Sequence, residues 1–463
     1  MPAPLIPANP CINPVCKNTD VTNIDLMKAV SIKNLVKKLS GFGLESLTNL
    51  YNGNNVPTSE YLGNLCNALL GLKGEASSIA LAEEILAVYA QFSAEDKLEF
   101  FQFLETDLAA NADQVKLAIN QYQENPNQQS IQTLHEASES RRMELFRALN
   151  MASQGTESLI AMREDIFEVL RENPGLQSLD NDLLHLFRSW FNRGFLEIKR
   201  IDWETPAVVL EKLIEYESVH EIAGWDDLRR RLEEDRRCFG FFHPVMPYEP
   251  LIFVEVALTN EISTNVEELL KEDVKHDEDA TYSTAIFYSI NNCLNGLRGV
   301  SFGNLLIKQV VEKLEREISG IKKYSTLSPL PRFSHWLKEN YNDLDFLESD
   351  QKHHVKALLD HPTIQIIDDE QLKSIMLGIC AHYLVQVKSH DKPHCPVARF
   401  HLGNGATLGK INWQADTSEN GLRQSAGIMV NYIYDKSKLA KNHEAYEQSN
   451  IVNCSSEVKQ LLP

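Results

Sequence analysis

The sequence predicts an all-helical region over residues 1–193 followed by a mixed α/β domain over 194–463. Two patterns carry that expectation. Apolar residues recur at helical spacing up to about Arg193, and beyond Gly194 strand-like apolar runs alternate with helix-patterned segments. Composition is the third observation: 463 residues, 43% hydrophobic and 24% charged, are the proportions of a globular chain of two or three domains.

In the first region, Ser93-Ala-Glu-Asp96 has the form of a capping box, and Leu98, Phe101, Leu104 and Leu108 follow at helical spacing. Leu159, Met162, Ile166 and Leu170 form a second stripe, stopped by Asn173-Pro174-Gly175. A third runs from Asn181 to Arg193 and meets Gly194, a glycine placed to cap it. NQYQENPNQQSIQ, at 120–132, is polar enough to read as an exposed connection. Such stripes are helix-bundle core, and no convergent set of titratable residues interrupts them. The region therefore reads as structural, with homo-oligomerisation through its helices expected.

In the second region, 195–201, LIFVEVALT (251–259) and TAIFYSI (284–290) read as strands, the second too apolar for a sheet edge. Between the last two lies the acidic NVEELLKEDVKHDEDA (265–280), a solvated helix end and loop. Helices are expected at 303–318, 333–342 and 369–388, and strands at 322–327 and 396–402. Asn404-Gly405 signals a tight turn before TLGKINW. No internal repeat is visible.

Charge and cysteine usage exclude several functions. A formal net charge of −20 argues against nucleic acid, whose binding needs a basic face. An anionic substrate must then be held by local donors. No apolar run approaches the roughly 20 residues of a membrane helix. The first residues, MPAPLIPANPCINPVCKNTD, resemble neither a secretory signal nor an Arg-rich presequence, and VKQLLP is no peroxisomal address, so a cytoplasmic location is expected. The eight cysteines contain no CxxC pair and read as reduced thiols. HDKPHC, at 390–395, has the spacing of no common zinc site, and no metal is expected there.

The stretch NGLRGVSFGNLLIKQ (295–309) sets glycines between a predicted strand and a predicted helix. Glycine lets backbone amides converge on an anion, and a helix N-terminus adds partial positive charge. Neither GxxxxGK[ST] nor GxGxxG is present, so this is not a P-loop or a dinucleotide fingerprint. The arrangement resembles the pyrophosphate-binding loop of the GNAT acyltransferase fold.

FHPVMPYEPLIFVEVALT, YSINNCLNGLRGVSFGNLLIKQVV, YSTLSPLPRFSHWL, PVARFHLGNGATLGKINW and GLRQSAGIMVNY occur in that order. Together they resemble the malonyl-CoA decarboxylase family over most of residues 195–448. The resemblance implies a GNAT-like catalytic domain, malonyl-CoA as substrate and acetyl-CoA as product. Ser328 of TLSPLP and His401 of ARFHLGNG are the catalytic residues it implies. Arg298, Gly299, Val300, Ser301, Phe302, Gly303 and Asn304 are expected to hold the coenzyme A pyrophosphate, with Ser289 and Tyr434, and beside it Tyr432, lining the pocket. Without the resemblance, Ser328 before Pro329 reads as bonded to local backbone, and His401 as a satisfied core histidine. No cofactor is expected, because a malonyl thioester delocalises the charge left by CO2 onto its own oxygen. Two other readings keep the chain's features: an acyltransferase from coenzyme A to an amine or carrier protein, and a non-catalytic scaffold sensing malonyl-CoA. The chain departs from the family's pattern at Leu294, Asn295, Cys395 and Arg332, the last where a glycine is typical.

Overall fold

The computed structural model describes residues 58–271, 281–300, 306–360 and 369–463. The chain divides into two compact units at Leu186/Phe187.

The first unit is helical: α1 (Ser59–Gly71), α2 (Glu75–Tyr89), α3 (Ala94–Thr106), α4 (Ala112–Glu124), α5 (Gln128–Ser138), α6 (Arg141–Leu149), α7 (Gly155–Leu170) and most of α8 (Gln177–Trp190). The Ser93 capping box forms with both arms: the Asp96 amide donates to Ser93 Oγ at 3.2 Å, and the Ser93 amide to Asp96 Oδ2 at 3.3 Å. The polar segment 120–132 is not a connection. It belongs to α4 and α5, which meet at a turn where Asn127 Oδ1 and Ser130 Oγ exchange bonds with each other's amides, both at 3.0 Å. The segment is exposed as expected, but a polar face is equally the outer side of a surface helix.

The second unit is built on an eight-stranded sheet in the order β1-β2-β3-β4-β5-β10-β6, with β9 pairing to β10. The strands are β1 (Glu197–Ile201), β2 (Arg236–His243), β3 (Met246–Thr259), β4 (Thr284–Asn292), β5 (Lys323–Thr326), β6 (Ser328–Pro329), β9 (Thr407–Asn412) and β10 (Met429–Ile433). Neighbours are antiparallel except β4 and β5, joined in parallel through α12 (Leu306–Glu317). This helix buries Leu306, Ile307, Val310, Val311 and Leu314 in the largest core cluster, with Val256, Phe287 and Tyr432 of the sheet. The other sheet face carries Ile286, Tyr288, Leu327 and Met429, and is packed by Val266 and Leu269 of the segment around α11 (Glu267–Leu270). Toward β2 that face is covered by Val209, Leu210 and Leu213 of α9 (Ala207–Tyr216) and Leu228 of α10 (Trp225–Arg231).

Two irregularities shape the sheet. β4 and β5 pair only as far as Phe287 and Thr326; β4 continues to Asn292 while Ser328 and Pro329 turn to β10. β4 also carries a bulge, since Glu255 faces Ser289 whereas Val256 faces Phe287. The extra residue moves Ser289 onto the face of Glu255.

Several expectations need correction. Residues 396–402 are not a strand but lie in helix α16 (Pro396–Gly403), for which Pro396 supplies a prearranged first turn. Its buried residues Ala398, His401 and Leu402 lie three and four positions apart, the helical period in a run too short to distinguish from alternation. Asn404-Gly405 is accordingly the cap of that helix. Gly405 has φ +82°, and a Cβ there would meet Leu439 O at 2.3 Å. The HDKPHC loop is a hairpin, β7 (Lys388–Ser389) with β8 (Lys392–Pro393), whose turn residues His390 and Asp391 both have positive φ. β2 and β10 were not anticipated at all. The helices α13 (Phe333–Asn340), α14 (Ser349–Asp360), α15 (Glu370–Val385), α17 (Glu419–Ser425), α18 (Leu439–Ser449) and α19 (Ser456–Gln460) complete the unit.

Arg332, the departure from a typical glycine, caps α13 at φ +80°. A side chain in the left-handed region costs roughly 1–2 kcal/mol, and a glycine returns roughly half of that gain as unfolded-state entropy. Arg332→Gly is expected to leave the melting temperature unchanged or to raise it by a few degrees, read by calorimetry. A clear fall would mean that contacts of the guanidinium outweigh the backbone strain.

Candidate active site

Ser328 and His401 come together from separate elements. β5 and β6 place Thr326 and Ser328 two residues apart on one face, and the last turn of α16 presents His401 to them. Ser328 Oγ lies 3.0 Å from His401 Nε2 and donates to Thr326 Oγ1 at 2.9 Å. The Tyr432 amide donates to the same Thr326 oxygen at 3.1 Å. On the other side of the ring, His401 Nδ1 lies 2.8 Å from the hydroxyl of Tyr434. Tyr432 stacks on the imidazole with centroids 4.5 Å apart. All five side chains are buried.

One arrangement of protons satisfies every contact. With the Ser328 proton directed at Thr326, the Ser328 oxygen accepts from Nε2–H and the Tyr434 hydroxyl donates to Nδ1. Burial holds the Tyr434 phenol well above its ordinary pKa, so it stays a donor. Burial also pushes the imidazole from 6.5 to about 3. The helix C-terminus beside it favours a cation, but the net shift is downward, so desolvation wins. The histidine is therefore neutral at physiological pH, where the sequence alone left it near its ordinary titration range. Both ring partners are hydroxyls, which accept as readily as they donate, so the same geometry holds an imidazolium once a negative charge enters.

The glycine segment is partly described. Asn295–Leu297 form a 3-10 turn, and Gly299 follows with φ +86°. The amides of Arg298 and Val300 are already used, donating to Asn295 O at 2.9 Å and to Leu297 O at 2.9 Å. Arg188, at the end of α8 and within the second unit, donates to Gly299 O at 3.3 Å. Ser301, Phe302, Gly303 and Asn304 lie outside the described residues. Ser289 is not brought to the Ser328–His401 pair: its hydroxyl donates to Glu217 Oε2 at 2.7 Å, on the face to which the bulge turns it. Tyr434 is brought there, as a direct partner of His401. Thr326 escaped the sequence reading, although its i, i+2 spacing from Ser328 in YSTLSP is a usable signal.

A cavity of about 660 Å3 opens beside Tyr434. Lys308 and Val311 of α12, Asn404, Tyr434, Lys436 and His443 are among its walls. Each of its two ammonium groups stands beside a glutamate: Lys308 lies 3.9 Å from Glu312, which also lines the cavity, and Lys436 pairs with Glu315. Among the described residues no group of three or more His, Cys, Asp or Glu side chains is placed to hold a metal ion, and no helix is long and apolar enough to cross a membrane.

A mixed sheet whose central parallel pair parts beside a glycine turn, with a helix returning between the two strands, defines a GNAT-like enzyme domain. Residues 194–463 match the profile of the malonyl-CoA decarboxylase C-terminal domain, and residues 108–191 that of the N-terminal domain. The chain belongs to the malonyl-CoA decarboxylase family. It is 35% identical over 342 residues to the mitochondrial malonyl-CoA decarboxylase of Anser anser anser, covering 68% of each chain. Against that of Mus musculus the identity is 34% over 346 residues, covering 69% of this chain and 70% of the relative. The crystal structure of the Rhodopseudomonas palustris malonyl-CoA decarboxylase superposes with a TM-score of 0.82 at 43% identity, covering 87% of this chain and 100% of that one. That from Agrobacterium vitis gives 0.82 at 44%, covering 87% and 99%.

The neutral buried imidazole has a consequence for stability. Its pKa is depressed on folding, so its contribution is complete above about pH 6.5 and is lost as pH falls toward about 3. His401→Gln should flatten the decline of unfolding free energy between pH 6.5 and 4, measured by denaturant titration. An unchanged slope would show that carboxylates alone set the acid limb.

Proposed function

We propose that this chain removes CO2 from malonyl-CoA and releases acetyl-CoA at the Ser328–His401 pair, without metal or organic cofactor. The observation that carries the reading is the 3.0 Å contact between Ser328 Oγ and His401 Nε2 in a buried pocket whose other polar groups are hydroxyls. Such a pocket offers a carboxylate hydrogen bonds but no fixed positive charge.

The chemistry follows from that setting. The malonyl carboxylate enters next to a neutral imidazole, and its negative charge raises the imidazole's proton affinity. His401 takes up one proton with the substrate, and Tyr434 and Ser328 accept from its two N–H groups. The bond from the α-carbon to the carboxylate carbon breaks, its electron pair moves into the thioester as an enolate, and CO2 leaves. Ser328 O–H and the imidazolium stabilise the enolate oxygen. The Nε2 proton then passes to the α-carbon, directly or through Ser328, and the ring returns to neutral. One proton and one malonyl-CoA give one acetyl-CoA and one CO2. Gly299 and the residues to Asn304, which precede α12 in sequence, are assigned to the pyrophosphate, and Lys308 and Lys436 would exchange Glu312 and Glu315 for the phosphates.

The direct test is to incubate the purified chain with malonyl-CoA and a chelator, with no acyl acceptor present, and to measure CO2 and acetyl-CoA. Stoichiometric release is expected. No release under those conditions overturns the reading, and release only when an amine or carrier is added makes the chain a transferase.

Ser328→Ala and His401→Asn should each lower kcat by about 10²–10⁴-fold, the usual range for positioned acid–base catalysis. Because each orphans the other, the double variant should be little worse than the poorer single one. Cleanly multiplying losses would separate the two residues. Gly299→Val forces a β-branched side chain to φ +86° and should raise KM for malonyl-CoA with a smaller change in kcat. An unchanged KM in a folded variant would remove this turn from the nucleotide site.

A further inference from the structure

Next to Ser328 the bonding between β5 and β10 passes through side chains. Ser325 pairs with Ile433 and Ser328 with Val430 in one register, so Thr326 lies opposite Tyr432. In an unbroken ladder the Tyr432 amide would donate to the Thr326 carbonyl, as the Tyr434 amide does to Tyr324 O at 2.9 Å. It donates instead to Thr326 Oγ1, at 3.1 Å. The carbonyl so released takes Asn431 Nδ2 at 2.7 Å, and Asn431 Oδ1 takes Asn412 Nδ2 at 2.7 Å. β10 bulges against β9 at this same step, between Asn431 and Tyr432.

Two side-chain bonds thus stand where one backbone bond would do. Their product is a buried threonine hydroxyl with one lone pair taken by an amide that cannot turn. Its remaining capacity points at Ser328 Oγ, 2.9 Å away. That capacity matters once His401 is charged. The imidazolium donates from Nε2 to Ser328, which must then send its own proton elsewhere. Among the described contacts of Ser328 Oγ, Thr326 alone can accept it. When the enolate oxygen forms and Ser328 turns its proton there, Thr326 still carries a proton and donates to Ser328. The bond reverses without being lost.

The surroundings of the ring offer no substitute. The titratable groups around the Tyr432–His401 stack are Tyr434 on β10, Cys380 and Tyr383 on α15 and Cys395 just before α16. Burial raises the pKa of each of these and of Tyr432, so all are neutral. Lys308, Glu312 and Lys436 stand in the cavity that Tyr434 lines, and His443 of α18 donates to Gly403 O at 2.7 Å.

We propose that Thr326 is a positioning residue of this site: pinned by the Tyr432 amide, its hydroxyl holds Ser328 where it can accept from a charged His401 and then serve the enolate. The inference rests on the decarboxylase reading and adds a residue that acts through Ser328.

The test compares variants of the full chain on malonyl-CoA from about pH 6 to 9. Thr326→Val keeps the side-chain volume and removes the hydroxyl. A charged ring held less well loses its proton at lower pH, so the basic limb of the kcat profile should move down by about 0.5–1 pH unit. At pH values on that limb kcat should fall about three- to tenfold, with KM within about twofold of wild type. Thr326→Ser should restore both. In a Ser328→Ala background Thr326→Val should cost less than about twofold more, whereas a merely structural loss multiplies. Thr326→Cys, whose thiol accepts weakly, carries the same test if the valine variant does not unfold cooperatively. A wild-type profile in the folded variants, or a loss that multiplies with Ser328→Ala, overturns the proposal and leaves the decarboxylase reading standing. No CO2 from the wild-type chain overturns that reading, and this role with it.

Discussion

The parting of β4 from β5 after Phe287 and Thr326 is the constraint on which the catalytic unit depends. Two parallel strands that stop bonding to each other leave backbone donors and acceptors that must be satisfied elsewhere. Leu327 makes the last link, its amide donating to Phe287 O at 2.9 Å. Beyond it Ser328 pairs with Val430 of β10, and Pro329, which has no N–H to orphan, pairs with Met429. β4 keeps its bonds to β3 by absorbing one extra residue at the bulge. The split thus opens between two strands that each keep a bonded neighbour on the other side. It turns the Ser328 hydroxyl toward Thr326 and His401.

Around that opening, burial does what charge usually does in an acid–base site. The described contacts of His401 are Ser328, Tyr434 and the rings of Phe400, Tyr432 and Tyr434; none is a carboxylate. An aspartate at Nδ1 would hold the imidazole charged or ready to charge before substrate arrived. A tyrosine hydroxyl brings no such charge, and in the proposed reaction that role falls to the substrate's own carboxylate. In the proposed reaction that charge is gone at the end, so a ring protonated only by the substrate's presence would return to neutral once CO2 has left and carbon has taken the proton.

How much of this was legible in the sequence depends on the length over which each signal acts. The helix at 306–317 shows its core face in five apolar residues, and Ser93 announces its capping box in four positions. His401 was assigned from its motif, yet its element was misread. ARFHL is apolar and short, and the deciding feature was Pro396, which favours the first turn of a helix and disfavours a central strand. The partners of His401 were out of reach, because contact with Ser328 spans 73 positions and depends on β10, a strand the apolar pattern did not reveal. Ser289 failed to join the pair for a different reason. A strict two-residue period puts it on the face of Phe287, and one inserted residue, invisible in TAIFYSI, moves it to the other.

That inserted residue also separates two chemistries within one sheet. On the face of Val256 and Phe287, the polar groups around Ser328 are hydroxyls and a neutral imidazole; on the face of Glu255, Ser289 and Asn291 serve Glu217, and acidic side chains dominate. Had the pleat run on unbroken, Ser289 and Asn291 would have faced the substrate side, and Glu217 would have lost two of the donors that neutralise its burial. A buried carboxylate stripped of such partners costs several kcal/mol or takes up a proton. The bulge therefore keeps an anionic network intact on one face and its carboxylate away from His401 on the other. The proposed decarboxylation, in which the substrate's own charge protonates His401, uses that separation.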